Sequence, residues 1–202
     1  MLTNLFRRAP SALKRIEWIL RYSRRKSGGL ALNVAVLLHA AATVPINSGR
    51  LKKFWKNTTI LELVLFQFNL IDRYCQARDL KLRISLTDAY LEVASRVFSE
   101  AALVDGKSFY EVCNNRQDLY FKQNPNSSGL DKGQVDLLIY LIHLHHDAFQ
   151  KYPTIADARL PGLIIGTGPD GEDVLHLHIA VIEHFNNVVK PMLPLLARMD
   201  AQ

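Results

Sequence analysis

The sequence predicts an all-α protein, a single-domain bundle of about six to seven helices. No Gly or Pro occurs between Gly49 and Gly106, and this stretch is rich in Leu, Phe, Ala and charged residues, which favour long helices. Helix starts are indicated where a residue that can cap a helix precedes an acidic residue or Gln by three positions. These pairs are Thr59 with Glu62, Ser85 with Asp88, Ser108 with Glu111 and Asp131 with Gln134.

The helices can be placed in order between these starts and the breaking residues. Their approximate ranges are 10–26, 30–43, 50–78, 86–104, 108–122, 131–152 and 172–198. Pro45 and Gly49 interrupt the chain after the second helix, and Pro153 stops the sixth. Because proline has no backbone N–H, Pro191 and Pro194 predict a kink or a break near Lys190 in the last helix.

The third helix is predicted to form the centre of the bundle. Its stretch of about residues 59–78 is apolar on nearly every side until Asn69, as expected of a helix surrounded by others. Within it, Glu62 is explained as the carboxylate of the Thr59 cap, and Asp72 is expected to pair with Arg73. The last helix has an apolar stripe that predicts docking along helix three or six. The stripe consists of Leu175, Ile179, Ile182, Val189 and Leu193.

The charge distribution divides the chain into two parts. From Met1 to Lys56 there are twelve Lys or Arg and one acidic residue, Glu17, for a net charge of +11. The remainder carries 13 basic and 18 acidic residues, for a net charge of −5. We therefore treat 1–202 as one helical domain in which a basic amphipathic segment, 1–48, is packed on or extends from a helical core, 49–202.

Cysteine usage and hydropathy indicate in which cellular compartment the protein is expected. Cys75 and Cys113 lie within helical patterns and form no CxxC pair, so we expect buried, reduced thiols and a reducing, cytoplasmic location. The uncharged run that precedes Arg50 has an apolar centre of about 12 to 15 residues, too short to span a bilayer. An apolar helix over 30–43 is also typical of a dimer interface, which leaves a homodimer open.

The basic segment predicts a binding surface. Apolar and aromatic residues alternate in it with cations, a pattern typical of an interfacial helix. We expect a non-enzymatic protein without a cofactor, whose N-terminal segment contacts an acidic protein or an anionic membrane surface. Nucleic acid is a third partner for the same cations, although no recognition motif accompanies them. The predicted surface comprises Arg7, Arg8, Lys14, Arg15, Trp18, Arg21, Tyr22, Arg24, Arg25 and Lys26.

A histidine-rich region supports an alternative from a different class. Six of the seven histidines fall in the last two long helices, next to carboxylates. If the polar faces of these helices met, they would hold a divalent metal ion, as in a metal-dependent hydrolase. The candidate ligands are His143, His146, Asp147, Asp173 and His176. The pair His146-Asp147 resembles the adjacent His-Asp pair of helical metal-dependent phosphohydrolases, a resemblance that covers these two residues and implies phosphohydrolase chemistry.

The apolar helices support a second alternative. The third helix and the run Leu30–Val44 are apolar enough to enclose a cavity for a lipid or another apolar ligand.

Two common catalytic signatures are absent from the sequence, which has no HExxH and no GxSxG element.

Overall fold

A computed structural model describes residues 10–25, 29–47, 54–98, 108–124, 129–144 and 171–199. These residues are almost entirely helical and contain no strand, so the predicted all-α bundle is confirmed. The helices are α1 Ser11–Arg25, α2 Leu30–Asn47, α3 Asn57–Ala77, α4 Arg83–Phe98, α5 Phe109–Gln123, α6 Lys132–Leu144, α7 Gly171–His184 and α8 Lys190–Met199. A π-helical turn, Phe185–Val189, joins α7 to α8 without a break, so the described chain forms seven continuous helical segments.

Helix α3 is the centre of the bundle, as its composition predicts. Fifteen of its 21 residues are buried. It packs against α1, α2, α4, α5 and α6, and also against the π-helical turn. Its many large aliphatic side chains, such as Ile60, Leu61 and Leu65, are completely buried, and each contributes roughly 1.5–3 kcal/mol of hydrophobic stabilisation.

Helix α1 packs on the bundle through one face. It contacts α2, α3 and α4, and Leu13, Ile16 and Leu20 are buried in those contacts. Two hydrogen bonds at Asn57 fix its first turn: Oδ1 accepts from the Ala12 backbone N–H at 2.9 Å, and Nδ2 donates to Ser11 Oγ at 2.9 Å. The start of α1 is therefore tied to the start of the central helix.

Helix α2 continues past Pro45, where the sequence predicted an interruption. Proline removes the backbone N–H that would donate to the carbonyl four residues earlier, but only two helical residues follow it, so the helix ends soon after. Two side chains donate to carbonyls near this turn. Thr43 Oγ1 donates to the carbonyl of His39 at 3.0 Å, and Trp55 Nε1 donates to the carbonyl of Ala42 at 3.1 Å.

The capping prediction is right at two starts and wrong at two. Helix α3 begins at Asn57, so Thr59 lies inside the first turn and Glu62 is not a capping carboxylate. Helix α4 begins at Arg83, and Ser85 Oγ donates to the carbonyl of Leu82 instead of capping. At the other two starts, Ser108 and Glu111 form a complete capping box, and the Gln134 N–H donates to Asp131 Oδ1 at 3.3 Å.

Replacing Ser108 by Ala is expected to lower the free energy of unfolding by about 1 kcal/mol, because the N–H of Glu111 loses its acceptor at the start of α5. Urea denaturation measures the change. Ser95→Ala is the matched control, since Ser95 Oγ donates to the carbonyl of Glu92 inside α4 and caps no helix. Equal stability of Ser108→Ala and Ser95→Ala would contradict the assigned cap.

The C-terminal helix widens where a kink or a break was predicted. In the π-helical turn the N–H of Lys190 donates to the carbonyl of Phe185, five residues earlier. The wider turn directly precedes Pro191, whose missing N–H cannot continue the α-helical ladder, so the helix changes its hydrogen-bond register instead of ending. Helix α7 docks against α6, as predicted, and also against α2, which the prediction missed. The predicted stripe is wrong in its first part, because Leu175, Ile179 and Ile182 are exposed, whereas Leu177 and Val181 are buried.

Candidate functional site

The exposed face of α1 carries the predicted binding surface. Six of its predicted residues are exposed, and Arg15 is half-buried. The six are Lys14, Trp18, Arg21, Tyr22, Arg24 and Arg25. Trp18 is 65% exposed and Tyr22 is 46% exposed, which is unusual for side chains of this size. Arg7, Arg8 and Lys26 lie outside the described residues.

The two aromatic rings of this face stack on each other. Their centroids are 5.5 Å apart, and their planes differ by 9°. Trp18 and Tyr22 are four residues apart, the spacing at which side chains on a helix meet. The two stacked rings form one apolar wall, and both remain accessible to solvent.

This wall borders a groove between α1, α2 and α4, which we call the aromatic groove. Its volume is about 800 Å³. The surface inside is mainly apolar, formed by Trp18, Ile19, Tyr22, Ala31 and Val93. The groove was not predicted from the sequence, since its lining combines residues from three helices that are brought together only by packing.

Three cations line the aromatic groove: Lys14, Arg15 and Arg96. Arg15 Nη1 donates to the carbonyl of Val97 at 3.1 Å, which holds the guanidinium next to the last turn of α4. Arg96 forms an i,i+4 ion pair with Glu92, and both side chains are largely exposed. The groove therefore combines an apolar interior with positive charge whose position is partly fixed.

A buried ion pair lies in the core, away from this face. Glu62 is completely buried, and Arg116 is nearly so. Arg116 Nε donates to both carboxylate oxygens, at 3.0 and 2.8 Å, and Nη2 donates to Oε1 at 2.7 Å. Its Nη1 donates to Asn115 Oδ1 at 2.8 Å. This pair joins α3 to α5, and it explains the buried carboxylate for which the sequence suggested a cap.

A second ion pair differs from the one predicted. Asp72 accepts from Arg83, with Nε at 2.7 Å from Oδ1 and Nη2 at 3.1 Å from Oδ2. Arg73, the predicted partner, turns to the carbonyl of Asn124. Adjacent residues on a helix point about 100° apart, so Asp72 and Arg73 cannot share a face.

A polar chain crosses the core from α4 to α7 through Gln67. The Tyr90 hydroxyl lies 2.6 Å from Gln67 Oε1, and Gln67 Nε2 donates to the carbonyl of Leu37 at 3.2 Å. The same Nε2 lies 2.9 Å from His184 Nε2. Since the amide nitrogen can only donate, His184 accepts through an unprotonated Nε2. Burial lowers the pKa of His184 to about 4, in agreement with a neutral ring.

His184 also borders a pocket of about 380 Å³ between α2 and α7. His39 and Thr43 line it from α2, and Glu183 and Asn187 line it beside His184. The lining of the pocket is mixed, since Ala40, Val44, Ala180 and Val188 also contribute to it, and the π-helical turn begins directly after His184. Sequence reasoning missed this arrangement, because His39 and His184 are brought together only by the docking of α7 on α2.

A pair formed by a histidine and an aspartate joins α6 to α7. His178 Nε2 lies 2.7 Å from Asp136 Oδ1, and both residues are buried. Asp136 directly precedes the apolar run Leu137–Ile142, and His178 directly precedes Ile179–Ile182, so a polar residue at the edge of an apolar run was the available signal. The pair fixes how the two helices face each other.

The predicted metal ligands are only partly placed. His146 and Asp147 lie outside the described residues, and so do the side chains of His143 in α6 and Asp173 in α7. His176 is half-buried on α7. Within the described ranges, no group of three or more His, Cys, Asp or Glu could hold a metal ion. The histidine-rich metal site therefore stays a prediction.

Both cysteines are buried and form no disulfide, as predicted. Burial raises the pKa of Cys75 and the pKa of Cys113 to about 11 each. Neither thiol is therefore an activated nucleophile at neutral pH.

Comparison with protein families, with curated proteins and with solved structures finds no match to this chain. None of the helices in the described ranges has the length and apolar character needed to cross a membrane.

Proposed function

We propose that this protein is a non-enzymatic binding protein that attaches peripherally to an anionic membrane surface through the exposed face of α1. The observation that carries the proposal is the stacked Trp18–Tyr22 pair, exposed to solvent and surrounded by cations on a helix whose opposite face is packed on the bundle. The contact of two large rings with water is unfavourable, and binding would remove the rings from water.

Membrane attachment uses both features of this face. Trp and Tyr are favoured at the level of lipid headgroups, where an apolar ring and a polar tip are both accommodated. Each Lys or Arg close to an anionic leaflet contributes about 1 kcal/mol. An acidic protein is the alternative partner for this face, since protein interfaces are also enriched in Trp, Tyr and Arg. We favour the membrane because the exposed cations are spread along α1 from Lys14 to Arg25, which suits contact with an extended anionic surface.

Neutralising the cations of α1 is expected to weaken binding to anionic vesicles by about 100-fold. The triple variant Arg21→Gln, Arg24→Gln, Arg25→Gln removes three exposed charges, or about 3 kcal/mol in total. Co-sedimentation with vesicles of phosphatidylglycerol and phosphatidylcholine measures the affinity at low and high salt. The unmodified chain should bind only vesicles that contain phosphatidylglycerol and should be released by salt.

A control variant with the same net charge distinguishes the effect of the α1 face from the effect of the net charge of the protein. Lys81→Gln, Lys122→Gln, Lys132→Gln also removes three exposed cations, none of them on α1. It should bind anionic vesicles nearly as well as the unmodified chain. Equal loss in both triple variants would indicate a general charge effect, and absence of vesicle binding by the unmodified chain would favour an acidic protein as the partner.

A further inference from the structure

We infer that the aromatic groove binds a single-chain anionic amphiphile, with the hydrocarbon chain along Trp18, Ile19 and Val93 and the anionic head near Arg15 and Arg96. The inference rests on the proposed function, because both assign anionic lipid to α1. It adds a site for one molecule in the concavity that borders the exposed face of α1, with Lys14, Trp18 and Tyr22 common to both.

The shape of the groove supports a bound molecule. Attachment to a membrane surface requires an exposed helix face, and it does not require a concavity behind that face. The aromatic groove is such a concavity, and its volume of about 800 Å³ lies within the range of about 300–1,000 Å³ typical of small-molecule sites. Its mainly apolar lining favours hydrocarbon over a polar metabolite.

The charge of the groove selects the head of the ligand. Lys14, Arg15 and Arg96 line the groove, while Glu92, which pairs with Arg96, belongs to the exposed surface of α4. An arginine presents several N–H donors in one plane and matches a carboxylate or phosphate in a bidentate manner. Arg15 is held in place through Val97, so less side-chain freedom is lost when it binds an anion.

Charge and shape together give the class of ligand. An apolar chain alone would make no use of the positive charge beside the groove, and a small anion alone would leave the apolar lining empty. A chain that ends in a carboxylate or a phosphate satisfies both parts of the groove.

Binding can be measured directly at Trp18. The sequence has two tryptophans, Trp18 and Trp55, so Trp55→Phe leaves Trp18 as the only one. The probe is monomeric dodecanoate with bromine on its chain, below its micelle concentration, because bromine quenches a tryptophan that it touches. We expect saturable quenching, with affinity at least about fivefold higher than that of bromododecanol, which has the same chain without charge.

Two variants separate the groove from the outer face of α1. Ala31 is exposed and lines the groove, so Ala31→Phe should obstruct the groove without disturbing the core. It should weaken bromododecanoate binding at least about tenfold and leave binding to anionic vesicles unchanged. Arg15→Gln with Arg96→Gln should remove the preference for bromododecanoate over bromododecanol.

The outcomes distinguish this inference from the proposed function. Absence of saturable quenching, or quenching that Ala31→Phe leaves unchanged, overturns the groove site whether or not the protein binds vesicles. Quenching that Ala31→Phe abolishes supports the groove site. If the unmodified chain shows such quenching but does not sediment with anionic vesicles, the membrane attachment alone is overturned.

Discussion

Replacement of Arg116 by Met is expected to lower the free energy of unfolding by about 3–5 kcal/mol, because it leaves the carboxylate of Glu62 buried and without its counter-ion. Three guanidinium hydrogen bonds hold that carboxylate, which is completely buried. Such a loss is a large part of the stability of a domain this size. Urea denaturation followed by circular dichroism measures it.

The double variant Glu62→Leu, Arg116→Met provides the control. It removes both charges and leaves an apolar contact between α3 and α5, so it should be more stable than Arg116→Met alone and close to the unmodified protein. A single variant that loses less than about 1 kcal/mol would contradict an uncompensated buried charge. A double variant no better than the single one would show that the pair itself, and not its charge balance, stabilises the core.

Acidification is expected to destabilise the protein through His184. The pKa of its ring is about 4 in the folded chain and about 6.5 in the unfolded chain, so between these values only the unfolded chain takes up the proton. The stabilisation is fully present above pH 6.5 and is lost as the pH falls towards 4. Because the ring keeps some contact with solvent, we expect a loss of about 2–3 kcal/mol.

The measurement is the free energy of unfolding in urea at several pH values from 7.5 to 4. His184→Leu cannot take up the proton, so its stability should fall less over this range, although it should be lower at pH 7.5 because Gln67 loses an acceptor. Asn187→Ala, at the same pocket, is the matched control and should keep the full pH dependence. If His184→Leu and the unmodified chain fell equally, the protonation of another group would be responsible.

Local patterns in the sequence predicted most of the fold. The almost uniformly apolar run after Thr59 identified the central helix, because a helix without a polar face can only be surrounded. The Ser108–Glu111 pair identified the start of α5, since both capping hydrogen bonds form within four residues. The position of α1 was left open, because a basic amphipathic segment can either pack on the core or extend from it.

Interactions between distant residues could not be predicted in this way. Glu62 satisfies the spacing of a capping box with Thr59, and its real partner, Arg116, is 54 residues away. Nothing in the sequence near Glu62 distinguishes the two explanations. Once α3 begins two residues before Thr59, however, the carboxylate points into the core and requires a buried cation.

Only part of the candidate site was predicted, because the rest of it depends on contacts between residues that are distant in the sequence. The cations and aromatic residues of α1 are close in the sequence, so the alternation of the two residue types predicted the binding surface. The aromatic groove also needs Ala31 from α2 and Val93 and Arg96 from α4. A small residue such as Ala31 has no functional signature of its own, and it becomes informative only when the packing of three helices leaves a concavity above it.

The two buried thiols make the protein a convenient background for site-specific chemical labelling. With a pKa of about 11, each cysteine is ionised at pH 7.5 in roughly one molecule in three thousand, and each is also shielded from reagents by its burial. A cysteine introduced at an exposed position such as Lys14 or Arg25 would therefore react with a maleimide almost alone. Spin labels or fluorophores could be attached to α1 one position at a time, without first removing the native cysteines and repacking the core around the replacements.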